Sequence, residues 1–136
     1  MIPEQTKDER ASSLIWDGRI PDDKALRHEL LSNVLARSIA AQIVELRLRN
    51  GLSQQQFAKG IGCYQSTVSV WESGRYRGWS TKTLFRIAQF FDVALILQFS
   101  GWREWAMAFT PFGPHPVPLP FNRAAIVRAA KEPAHD

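Results

Sequence analysis

Residues 52–74 read LSQQQFAKGIGCYQSTVSVWESG, and this stretch decides the fold. Ser53 is followed three residues later by Gln56, the spacing at which two side chains satisfy each other's backbone N–H groups at a helix start. Phe57, Ala58 and Ile61 then share one helical face, and Gly62 falls where the chain must leave the helix with positive φ. A second helix is expected from about Gln65 to Glu72. It would bury Val68 and Trp71, one turn apart, and turn Gln65, Ser66, Thr67, Ser69 and Val70 elsewhere. The small side chain of Ala58 lets the two helices cross closely. Two short helices joined by a glycine-marked turn are a means of presenting a helix end to the DNA major groove.

The wider segment from residue 38 to residue 99 resembles the lambda-repressor/Cro-like (Xre) family of helix-turn-helix regulators. The matching features are LSQQQFA at the first helix, Ala58, the Gly62 turn, QST opening the second helix, WESG closing it and LFRIAQFFDV beyond. ALILQF is similar to a short strand that some members carry next, and a weaker likeness runs to a bacterial and prophage subgroup with a tryptophan- and proline-rich tail. The resemblance covers just under half of the chain. It implies a mostly α fold, a four-to-five-helix lambda-repressor-like domain with a short β-strand and an extended proline-rich C-terminal tail. It also implies that Gln54 hydrogen-bonds phosphate and braces the next glutamine.

A chain of 136 residues that is 45% apolar allows one compact domain with appendages. No apolar run reaches the roughly 18 residues a membrane span needs, and the polar start MIPEQTKDER is not a secretory signal. The single cysteine, Cys63, excludes an intramolecular disulfide and suits a reducing cytoplasm. Charge is uneven. Between Ala36 and Phe91 lie Arg37, Arg47, Arg49, Lys59, Arg75, Arg77, Lys82 and Arg86 against Glu45 and Glu72, an excess of six. The whole chain carries +4, so the flanks are net negative by two. The basic excess therefore sits on the expected DNA-binding domain, where phosphate attraction needs it; on many soluble helices the same pattern is only a solvated face.

The chain divides into an arm at 1–21, a DNA-binding domain at 22–92 and a tail at 93–136. Leu14, Ile15 and Trp16 form an apolar knot in an otherwise polar arm, suited to docking on the body or on a partner. Pro21, Asp22 and Asp23 look like a helix start. From Lys24 to Arg49 the apolar positions Leu31, Leu35, Ile39, Ile43 and Leu46 make one stripe, in one long helix or in two broken near Ser32–Asn33. Asn50-Gly51 ends it. After a loop rich in cations and aromatics, Ser80 or Thr81 caps a helix with Leu84, Ile87, Ala88 and Phe91 inward. Val93–Phe99 is a run of strand length, which needs a hairpin partner or a second subunit. Trp102, Trp105, Ala106 and Phe109 fall on one side of a short helix, PFGPHPVPLP is extended, and residues 122–131 form a short helix or a frayed end.

From these positions a mechanism follows. The N-terminus of the helix begun by Ser53 points at the phosphate backbone. Gln65 can offer a donor and an acceptor together to adenine N6 and N7, Ser66 can reach either base type and Val70 can press on a thymine methyl. Of Ser69 and Thr67, Ser69 is assigned to bases and Thr67 to the backbone. Ser53, Gln54, Lys59, Arg75, Tyr76 and Arg77 complete the phosphate contacts. With neither Arg nor Lys in the second helix, specificity would rest partly on DNA shape. Trp71 is assigned to the core and Trp79 to packing. Partners expected are double-stranded DNA and a second copy, with Val93, Leu95, Leu97, Phe99, Trp102 and Trp105 as the dimer or partner contact, and possibilities extend to a toxin or phage factor.

Catalysis is not expected. His28, His115 and His135 are scattered, without metal-ligand spacing. Lys59-Gly60-Ile61-Gly62 lacks the strand and glycine pattern of a phosphate loop, no serine sits in a nucleophile elbow, and no cofactor is expected. The leading function is a repressor in the cytoplasm, associated with the nucleoid. The alternatives are an antitoxin or adaptor that wraps a partner and binds its own operator, and a nucleoid or phage structural protein without sequence choice.

Overall fold

The computed structural model describes residues 20–108 and 122–131, which contain six helices. They are α1 (Lys24–Arg49), α2 (Gln54–Ile61), α3 (Gln65–Trp71), α4 (Thr81–Phe91), α5 (Trp102–Ala108) and α6 (Arg123–Lys131). The arm with Leu14, Ile15 and Trp16, the proline run, Phe109, His115 and His135 lie outside the described residues.

Each boundary has a local chemical cause. Asp23 Oδ1 accepts the Leu26 N–H at 2.8 Å and starts α1, which continues unbroken through Ser32–Asn33. At its end the Asn50 side chain donates to the Leu46 carbonyl at 2.7 Å. The capping box of α2 is complete: Ser53 Oγ accepts from Gln56 N–H at 3.0 Å and Gln56 Oε1 accepts from Ser53 N–H at 2.8 Å. Gly62 stands at φ +83° and its N–H reaches the Ala58 carbonyl at 2.9 Å, a geometry an L side chain adopts only with strain. Ser80, rather than Thr81, caps α4 by accepting from Thr83 N–H.

Helices α2, α3 and α4 close around Phe57, which is fully buried. Its ring meets Phe91 at 5.0 Å, Phe90 at 5.3 Å and Trp71 at 6.1 Å between centroids. Ile43 and Leu46 from α1, Ile61, Val68 and Ile87 complete this core. Burying a side chain of this size stabilises by about 1.5–3 kcal/mol. Gly60 is part of the fit: a Cβ there would lie 2.8 Å from the Phe90 ring, so glycine permits α2 and α4 to approach.

Two expectations need correction. The α1 stripe is rotated in its first half, where Leu30, Ala36 and Ala40 are buried while Leu35 is 47% exposed. An apolar stripe identifies a face but not which of its edges is covered. Val93–Phe99 does not form a strand, and none exists among the described residues. No neighbouring described segment offers it a ladder, and backbone pairing is what defines a strand. Trp102 and Trp105 do fall in a short helix, α5.

Candidate nucleic-acid interface

The turn between α2 and α3 sets the site. Gly62 reverses the chain, Tyr64 caps α3 without a side-chain bond and Thr67 N–H reaches the Tyr64 carbonyl at 3.0 Å. On α3, Val68 at 0% and Trp71 at 5% exposure face the core. Gln65, Ser66, Ser69 and Val70 are exposed, and Thr67 is half-buried. All four residues assigned to bases therefore lie on the open side of the helix. They form a polar edge with Val70, 48% exposed, as its apolar member.

This edge is held from behind by an ion pair. Arg47 Nε and NH2 donate to the Glu72 carboxylate at 2.8–3.1 Å, and Arg47 NH1 donates to the Leu52 carbonyl at 2.9 Å. The side chains are only 12% and 5% exposed. Hydrogen bonding to Glu72 lifts the Arg47 guanidinium above its ordinary pKa, against the effect of burial. Arg47 thereby fastens the end of α1, the start of the motif and the C-terminal end of α3 to one another. A further guanidinium, Arg86, donates to the carbonyls of Ile61 and Gly62 and caps the end of α2, where cations are favoured. Burial pushes the Cys63 thiol up, with Arg86 opposing, so the thiol stays protonated in the neutral range.

The phosphate-contact candidates are arranged unequally. Ser53 and Lys59 are exposed and Gln54 is half-buried at the first position of α2. Ser53 spends its hydroxyl on the cap. Arg75 is exposed beyond α3. Tyr76 packs edge-on against Trp79 at 5.0 Å and donates its hydroxyl to the Gly78 carbonyl. Arg77 turns to α1, donating to Ser32 Oγ and Asn33 Oδ1. Trp79 packs at 5.9 Å from Trp71, as expected of a packing residue.

Of the dimer-contact candidates, Val93 and Leu95 are half-buried, Leu97 is 62% and Phe99 105% exposed. Trp102 lies edge-on to His28 at 5.4 Å and under Arg27 at 5.5 Å, with Trp105 beside it. Sequence reasoning missed Tyr64, the more exposed of the motif's two exposed large hydrophobic side chains at 82% against 48% for Val70. An aromatic immediately before the helix whose polar edge faces out was the signal. It also missed Arg47, Glu72 and Arg86 as internal fasteners.

The profile of the family described as Helix-turn-helix matches residues 43–97, about two fifths of the chain. Over these residues the chain is similar to the lambda-repressor/Xre-like helix-turn-helix family. That similarity supports a DNA-binding helix-turn-helix domain in this stretch. No curated protein and no solved structure matches the chain. Among the described residues no helix is long and apolar enough to cross a membrane.

Proposed function

We propose that the chain is a sequence-specific transcriptional repressor that binds a palindromic operator as a dimer. The observation that carries this reading is the open edge of α3. Gln65, Ser66, Ser69 and Val70 are exposed together, while the opposite face is anchored by Val68, Trp71 and the Arg47–Glu72 pair. A helix so held can enter the major groove without rearranging. Gln65 reads adenine, Ser66 and Ser69 reach neighbouring base edges and Val70 meets a thymine methyl. Ser53, Gln54, Lys59, Thr67 and Arg75 contact phosphates and fix the register, while Tyr76 and Arg77, bonded to Gly78 and to Ser32 and Asn33, shape the loop beside them.

One such domain reads few base pairs, so two copies bind half-sites about 34 Å apart. The arm at 1–21 and the tail at 93–136 flank the binding domain at 22–92. The dimer contact is assigned to Val93, Leu95, Leu97, Phe99, Trp102 and Trp105, with Trp102 also packed on His28 and Arg27 of α1. Ile96 at 80%, Leu97 at 62% and Phe99 at 105% exposure support it, because adjacent apolar side chains in water favour a cover. That exposure equally favours the second reading, an antitoxin or adaptor whose tail holds a partner protein and which represses its own operator.

Selection of binding sites from random DNA by the purified chain tests the main reading. A motif with dyad symmetry and half-sites one helical turn apart is expected; recovery of unselected sequence would overturn it. Sedimentation of the full chain carrying Leu97→Asp and Phe99→Asp distinguishes the contacts. Loss of the dimer is expected, and an unchanged dimer would remove the tail segment from the interface.

A further inference from the structure

Beyond the DNA-facing edge, the first half of α1 carries a groove. Leu31, Leu35 and Ile39 of α1 face Tyr76 and Trp79 of the loop between α3 and α4, around a volume of about 240 Å³. His28 and Arg77 also line it, the arginine fixed there by Ser32 and Asn33. A dry cavity of about 150 Å³ accommodates benzene, so this one admits an indole.

The chain itself enters beside this groove. Arg27 donates through NH1 to the carbonyls of Pro21 and Asp22, at 3.1 and 2.9 Å, holding the approach to α1 against its first turns. His28, the next residue, lines the groove. Upstream of Ile20 the first cluster of large apolar side chains is Leu14-Ile15-Trp16, followed by Asp17. The four residues from Ile20 back to Trp16 span at most about 14 Å when extended. From His28 to Leu35 the groove follows roughly 10 Å of helix at 1.5 Å per residue. The reach is sufficient, the apolar content matches, and Asp17 carries the charge opposite to Arg77.

We propose that the groove between α1 and the Tyr76–Trp79 loop is the docking site of the chain's own arm, with Trp16 as its anchor. The indole packs among Leu31, Leu35 and Ile39 with Tyr76 and Trp79 at its edges, the offset or edge-on arrangement aromatic rings prefer. Asp17 faces Arg77. Docking adds a wall to the loop that carries Arg75 and Arg77, and so links the arm to the cationic segment next to α3. Docking of the arm does not depend on DNA binding and is measured without DNA.

Cys63 is the only cysteine, so Cys63→Ser gives a clean background for disulfide trapping in the full chain. Leu35→Cys is placed in the groove, at a half-exposed position that tolerates it, and combined with Leu14→Cys or, as the distant control, with Glu4→Cys. Oxidation should join residues 14 and 35 within one chain, while the pair 4 and 35 should lag. Adding Trp16→Ala should slow the 14–35 bond roughly tenfold, the shift expected from losing the burial of one large side chain. Circular dichroism of each variant checks that the helices persist. A 14–35 bond between two chains would overturn the proposal in favour of a second copy's arm. Equal trapping at residues 4 and 14, or indifference to Trp16→Ala, would overturn it outright.

Discussion

The two faces of α3 do opposite things with similar amounts of sequence. Its inner face spends Val68 and Trp71 on the core and hands its C-cap, Glu72, to Arg47. Its outer face keeps Gln65, Ser66, Ser69 and Val70 in solvent. A seven-residue helix has no stability of its own in water, because nucleation costs more than so few bonds return. The inner face therefore has to supply the folding energy of the outer one. The division teaches that in this domain stability and recognition occupy the same helix yet should be separable by mutation.

The sharpest way to break that separation is Trp71→Ala. Removing a buried tryptophan should cost about 3–5 kcal/mol, a large part of the stability of a domain this size, and DNA affinity should vanish with the fold. Denaturant unfolding measures it; a loss below 1 kcal/mol would mean that α3 is held from elsewhere. On the outer face Gln65→Ala should weaken binding to the selected site by roughly 1–3 kcal/mol and relax preference at one base position. Its melting temperature should stay at the wild-type value. If binding and footprint were untouched, the open edge would not be the reading surface. A fall in melting temperature would instead place Gln65 on the structural side of the comparison.

Gly62→Ala probes the joint between the helices. Space is available, since an added Cβ would approach nothing nearer than the Arg86 guanidinium at 3.6 Å. The cost is conformational and should be about 1 kcal/mol, from holding an alanine at positive φ. Destabilisation without a change in base preference is the expected result. A changed preference at constant stability would show that the turn angle tunes α3 against the DNA.

How much of this was legible beforehand follows the range of each interaction. Ser53 with Gln56, Gly62, Asp23 and Ser80 act within three or four residues, so pattern and residue type suffice to read them. The outward set on α3 was equally readable, because Val68 and Trp71 fix which way a short helix must turn. The α1 register failed at Leu35 because covering that edge depends on elements far away in sequence. The cations were harder still. Arg47 finds Glu72 and Arg86 finds Ile61 across 25 residues, and Arg77 finds Ser32 across 45. Nothing in an arginine's immediate neighbours distinguishes one that fastens the fold from one that waits for a phosphate. The same holds for Val93–Phe99, whose composition suits a strand but whose ladder would need a partner segment that the described part of the chain does not provide.

Arg75 provides the smallest and most discriminating test of that distinction. It is exposed, two residues from Arg77, whose guanidinium is taken by Ser32 and Asn33. If Arg75 contacts phosphate, Arg75→Ala removes about one counterion-releasing contact. The slope of log affinity against log salt should then flatten by roughly 0.9. Because phosphates carry no base identity, cognate and random DNA should weaken alike, and unfolding should be unaffected. Arg77→Ala offers the contrast: losing its bonds to α1 should disturb the Tyr76–Trp79 loop and lower the melting temperature, whatever happens to the salt slope. Should the two variants behave identically, the division between fastening and binding cations would fail where the two kinds stand almost side by side.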